Sequence, residues 1–134
     1  MDFRQPSERY ADIAAELLEN EPLLADLASS RARIAYLSSD HEKRSSGKTI
    51  YAQCERVPDK YKWSIPYDFT VTVYEPNVER MTEEQIGVLM LHELLHAGVE
   101  VDGNEETYRI IPHDVEDFRV IISRYGLDWA NEQT

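Results

Sequence analysis

"TEEQIGVLMLHELLHAGVE", residues 82–100, joins a helix start, an apolar run, and two histidines four apart with a glutamate directly after the first. Thr82 with Gln85 three residues on is a capping-box pattern, in which each side chain satisfies a backbone N–H that the first helical turn leaves unpaired. Ile86, Val88, Leu89, Met90, Leu91, Leu94 and Leu95 then cover nearly the full circumference of a helix, which is therefore expected to be buried on most sides. The pattern predicts a helix over 82–97 that stops at Gly98.

Residues four apart on a helix lie on one face, so the imidazoles of His92 and His96 can converge on a single tetrahedral ion. Glu93 sits about 100° round the helix, too far to be a natural third ligand but within reach of a water on the metal. Burying these three groups without partners would cost on the order of several kcal/mol, which a dication offsets. The stretch therefore predicts a zinc site with Glu93 as general base.

A catalytic zinc needs a third protein ligand and an open position. Two residues compete for that place. Asp102 lies ten residues after His92, where metzincin-type sites take their third ligand, but it also precedes Gly103 in a turn-like sequence. His113, in "IIPHDVEDF", is preferred because imidazole is the better-matched ligand and Asp114 and Asp117 could support it. With three neutral imidazoles the metal keeps its full charge, acidifies its water and polarises a carbonyl, which is the chemistry of amide hydrolysis. Tyr108, Arg109, Arg119 and Tyr125 are the candidate donors to a tetrahedral intermediate, and the sequence does not rank them.

Working outward, "SERYADIAAELLENEP" carries Tyr10, Ile13, Ala14, Leu17 and Leu18 at helical spacing behind a Ser7 cap, and "LLADLA" suggests a second short helix. "RARIAYL", "KTIYAQCER" and "DFTVTVY" read as strands, the last alternating Phe69, Val71 and Val73 against Thr70, Thr72 and Tyr74. "SSDHEKRSSGK" between the first two reads as an exposed connection. "VEVDGNEETYRII" reads as a hairpin turning at Asp102 and Gly103, and Val115, Phe118, Ile122 and Tyr125 mark a last helix. The sum is an α+β fold in one domain, 1–134: a small, mostly antiparallel sheet of three or more strands packed with an N-terminal helix, the buried HExxH helix and a C-terminal helix.

Composition narrows the function. The 134 residues carry 42% hydrophobic and 30% charged side chains, and no apolar run approaches the ~18 residues of a membrane span. No basic segment leads into an apolar one at the N-terminus, and the single cysteine, Cys54, suits a reducing compartment, so the cytoplasm is the expected location. The net charge of −12 argues against nucleic acid as a partner. That charge is uneven: residues 31–62 carry 8 basic against 4 acidic side chains, whereas 1–30 carry 2 against 7 and 63–134 carry 4 against 15.

The pieces "YEPN", "HELLHAG", "PHDVEDF" and "YGLDW" make most of residues 51–129 resemble the putative phage metallopeptidase family, small zincin-like proteins of phages and prophages. The resemblance implies metal ligands at His92, His96 and His113, a catalytic Glu93, and Zn2+ as the cofactor. More distantly, the order of strands, HExxH helix and later histidine is similar to that of SprT-like proteases, although the cysteine-rich ribbon those commonly add is absent. A zincin-like site implies that a protein or peptide substrate pairs with an edge strand above the helix, for which "DFTVTVY" is the candidate, although the same segment reads equally well as an interior strand. Two other classes stand beside the peptidase. One is a non-catalytic zinc module that binds a partner. The other is an endoribonuclease of the YbeY-like type, in which Asp102 would occupy the third ligand position and Glu93 would replace a glycine.

Overall fold

Two side-chain caps set the helices that frame the molecule. In the computed structural model, which describes residues 4–113 together with Ile121 and Arg124, strand β1 (Arg4–Pro6) precedes helix α1 (Glu8–Asn20). The Ser7 hydroxyl accepts from the Tyr10 N–H at 3.3 Å, as its position before the apolar repeat predicts. A 3-10 turn (Pro22–Leu24) and helix α2 (Ala25–Ser29) follow, then β2 (Ile34–Ser39), the small hairpin β3 (Arg44–Ser45) and β4 (Lys48–Thr49), and β5 (Ala52–Arg56). After a 3-10 turn (Asp59–Tyr61) come β6 (Phe69–Tyr74), a one-turn helix α3 (Glu75–Val78) and the long helix α4 (Glu83–Leu95). The hairpin β7 (Ala97–Asp102) and β8 (Glu105–Ile110) completes the described elements.

The main sheet has the order β1-β2-β6-β5. Its outer pairs are antiparallel, as expected, but the central pair β2–β6 is parallel, from Ile34↔Phe69 to Ser39↔Tyr74. The sheet is therefore mixed. The reason lies in the connection: the chain leaves β2, forms β3, β4 and β5, and returns, which gives the long excursion that parallel neighbours require. This topology also corrects the expected edge strand. "DFTVTVY" is β6, paired on both sides, and the edge next to it is β5.

Strand β6 buries both faces. Phe69, Val71 and Val73 are wholly buried against the helices, and Thr72 and Tyr74, on the opposite face, where antiparallel sheets commonly meet water, are at most 1% exposed. The difference comes from Arg4 on β1, which reaches over that face to Thr72 Oγ1 and the Tyr74 hydroxyl, each at 3.3 Å, while the Tyr74 hydroxyl donates to Gln53 Oε1 at 2.7 Å. Asn77 of "YEPN" donates from Nδ2 to the carbonyls of Lys43 and Ile50, holding the base of the β3–β4 hairpin in the polar connection.

Helix α4 runs through the centre of the core, packed on α1 and on the sheet. Ile86, Leu89, Met90, Leu91 and Leu94 are at most 3% exposed, and each such side chain stabilises by about 1.5–3 kcal/mol on burial. The helix ends earlier than its sequence suggests, at Leu95, with His96 as cap and Ala97 already extended. Gly98 is thus a strand residue. Of the expected C-terminal helix, Ile121 and Arg124 are helical, with Ile121 buried and Arg124 ion-paired to Glu21 at 2.8 Å, and Val115, Phe118, Ile122 and Tyr125 lie outside the described residues.

The Thr82 capping box is complete: the Thr82 hydroxyl accepts from the Gln85 N–H at 3.1 Å and Gln85 Oε1 accepts from the Thr82 N–H at 2.8 Å. Thr82→Ala is expected to lower stability by about 1 kcal/mol. In urea denaturation the midpoint should fall with an unchanged m-value.

Candidate metal centre

The geometry of the site is set where α4 meets the hairpin. The register of β7 on β8 runs from Asp102↔Glu105 at the turn to Ala97↔Ile110 at the base, so one step further places Ile111 opposite His96. There the two residues bond reciprocally. The Ile111 N–H donates to the His96 carbonyl at 2.7 Å, and His96 Nδ1 lies 2.6 Å from the Ile111 carbonyl oxygen. His113 then follows two residues on, and its Nε2 lies 2.9 Å from the Nε2 of both His92 and His96.

This contact decides the chemistry of the nitrogens. A carbonyl oxygen can only accept, so His96 Nδ1 is the protonated nitrogen and Nε2 presents its lone pair to the cluster. One N–H cannot satisfy three nitrogens that converge at such distances, whereas a cation between them can. The separations lie within about half an ångström of the ~3.3 Å edge of a tetrahedron with ~2.0 Å bonds. His92, His96 and His113 could therefore hold a metal ion, and the donor set of three imidazoles suits zinc.

Glu93 lies against this cluster. It is 4% exposed, and its carboxylate comes within 3.9 Å of His92 Nε2. From the sheet, Cys54 of β5 faces the same region: burial pushes its thiol pKa well up, and the negative charges of Glu93 and Glu55 push it further. The native thiol should accordingly resist alkylation by iodoacetamide at pH 8. Rapid labelling of the folded protein would contradict this packing.

The competing residues stand elsewhere. Asp102 is exposed at the tip of the hairpin, opposite Glu105 across the Gly103–Asn104 turn, and five residues of extended chain from Ala97 put it ~16 Å along the strand. Gly103, not Asp102, takes the left-handed conformation that the turn needs, with φ +64°. Tyr108 donates to Glu106 Oε1 at 2.8 Å and packs edge-on against Phe69. Burial and that hydrogen bond raise its phenol to about 12. Arg109 pairs with Glu100 at 3.0 Å across the hairpin. Both are thus engaged within or beside the hairpin, and Asp114, Asp117, Arg119 and Tyr125 lie outside the described residues. What side-chain reasoning missed is the Ile111 carbonyl, because a backbone acceptor leaves no mark on residue type.

A model of the putative phage metallopeptidase family matches residues 2–133. The chain belongs to this family. No curated protein and no solved structure gives a significant match. The glycine of "HELLHAG" has a local reason. A Cβ on Gly98 would lie 2.8 Å from Ile111 Cγ1 and 3.1 Å from the Arg109 carbonyl oxygen, so any side chain there pushes on the segment that carries His113. Gly87, on α4, has nothing within 4 Å of such a Cβ.

Gly98→Ala is therefore expected to weaken binding of added metal, measured with Zn2+, by about 10- to 100-fold, the usual cost of disturbing a residue that orients a ligand. Gly87→Ala should leave zinc affinity unchanged and gain up to about 1 kcal/mol of stability. Competition titration with a chelating dye, alongside thermal melts, separates the two.

Proposed function

We propose that the protein is a zinc-dependent, zincin-like metallopeptidase of phage or prophage type that hydrolyses peptide bonds in the bacterial cytoplasm. The observation that carries this reading is the buried Glu93 carboxylate 3.9 Å from His92 Nε2, beside three converging imidazoles. A site that only fixed the fold would have no use for a base there. The family to which the chain belongs supports the same reading, and a lone cysteine suits the reducing compartment.

On this reading His92, His96 and His113 would hold the ion, and zinc, when bound, supplies Lewis-acid polarisation of the scissile carbonyl and acidification of water. Glu93 takes the proton of the attacking water and passes it to the leaving amine. Its burial keeps competing water away from that transfer. The Ile111 carbonyl holds His96 in the tautomer that presents Nε2.

Substrate pairing falls to β5. The bonds Tyr74 N–H to Tyr51 carbonyl and Val57 N–H to Asp68 carbonyl fix which residues of β5 face β6. The alternate residues, Ala52, Cys54 and Arg56, therefore turn their backbone groups to the edge that no strand pairs with among the described residues, where an extended peptide could add. Cys54, in the middle, is the one whose side chain senses Glu93.

Glu93→Gln is expected to keep zinc at wild-type stoichiometry and to lower kcat by about 10²- to 10⁴-fold on an unfolded protein substrate. His113→Ala should lose zinc by elemental analysis. Full zinc in His113→Ala, or full activity in Glu93→Gln, sinks the proposal.

A further inference from the structure

Tyr61, Trp63, Ile65 and Tyr67 are all exposed and alternate along the loop that leaves edge strand β5, and Trp63 is 86% exposed. A loop that served only to join β5 to β6 would place polar residues there, because apolar side chains in water forgo burial. The loop is built, not slack. The Val57 N–H donates to the Asp68 carbonyl at 2.9 Å across its base, and the Ile65 N–H donates to the Tyr61 carbonyl at 2.8 Å within it. Lys62 anchors it to Asp68 at 3.2 Å and to Asp59 at 3.4 Å.

The position of this ridge matters as much as its exposure. The loop leaves β5 at Arg56, and its first exposed apolar residue, Tyr61, closes the 3-10 turn five residues on. Lys62 lies 5.2 Å from the Tyr108 ring of β8, the strand whose continuation carries His113. The ridge therefore follows the end of β5, the edge strand among the described residues, and stands next to the hairpin.

We propose that Tyr61, Trp63, Ile65 and Tyr67 form a docking surface for apolar side chains of an extended, unfolded polypeptide, the same segment that pairs along β5. This rests on the peptidase reading above. Continuity with the edge strand argues for a polypeptide, since main chain paired at Ala52, Cys54 and Arg56 leads onto the loop. Charge argues in the same direction. Around the loop the cations Arg56, Lys60 and Lys62 stand against Asp59 and Asp68, a local excess of one positive charge on a chain of net charge −12, too little to hold a run of phosphates.

The test measures binding apart from cleavage, by fluorescence anisotropy with the zinc-loaded, full-length Glu93→Gln protein. The probes are fluorescein-labelled α-lactalbumin, either native or reduced and carboxymethylated so that it stays unfolded, and fluorescein-labelled oligo(dT). The unfolded probe is expected to bind and the native one not. Adding Trp63→Ser should raise Kd about tenfold or more, and adding Trp63→Phe should restore it to within about threefold. A Kd for the unfolded probe that Trp63→Ser leaves unchanged, or no binding of that probe, overturns the proposal. So does oligo(dT) binding that Trp63→Ser abolishes, or a dimer in sedimentation that Trp63→Ser dissociates. Cleavage of the unfolded probe by zinc-loaded wild type is scored separately. Trp63-dependent binding without cleavage supports the ridge and counts against the peptidase, whereas cleavage with a KM indifferent to Trp63→Ser does the reverse.

Discussion

His96 and Ile111 hold each other through backbone and ring at once, and three features of the molecule depend on that contact. The Ile111 N–H takes the carbonyl that the last turn of α4 would otherwise leave unpaired, which lets the helix end at Leu95 and the chain turn at once into β7. The Ile111 carbonyl accepts from the His96 ring, which fixes the ring's tautomer and its plane. The same pair aligns the strand that leaves the hairpin, so that His113 arrives over the helix. A single hydrogen bond of this kind contributes only about 1 kcal/mol net to stability. Its larger effect is positional.

The hairpin converts a distance in sequence into a contact. Seventeen residues separate His96 from His113, yet six paired positions around the Gly103–Asn104 turn bring the two ends of that segment side by side. Registry is protected at the base, where Gly98 lets Ile111 approach more closely than any side chain would allow. The buried helix supplies the other half of the constraint. With Leu91 just before the HExxH residues and Leu94 within them at most 1% exposed, α4 cannot rotate without disturbing the core, so His92 and Glu93 stay where the core puts them.

Much of this was legible in residue pattern. The Thr82 capping box, the all-round apolar helix, the Ser7 cap and the hairpin each rest on local interactions, and the structure reproduces them. The preference for His113 over Asp102 came from ligand chemistry, and the structure brings His113, not Asp102, to His92 and His96. What pattern could not supply was non-local. Whether "DFTVTVY" is an edge or an interior strand depends on where the excursion through β3, β4 and β5 returns, and alternation of side chains is blind to that. Arg4 covering Thr72 and Tyr74 is similarly a tertiary event, arising 68 and 70 residues away in sequence. Gly98 looks like a helix stop in sequence because glycine commonly serves there, whereas its use is a close approach to a segment thirteen residues later.

The edge strand also limits what a substrate can be, on the peptidase reading. Only alternate residues of β5 turn their backbone outward, so recognition by Ala52, Cys54 and Arg56 spans five residues, ~17 Å of extended chain. A helix or a folded loop cannot satisfy donors and acceptors spaced in that way. Ala52 and Cys54 pack their own small side chains toward the core, and therefore add little side-chain selectivity of their own along the strand. Selectivity would then come from whether a segment is unfolded and whether it carries apolar side chains to meet Trp63 and its neighbours. An enzyme of this kind would discriminate by the state of its target more than by a short cleavage motif.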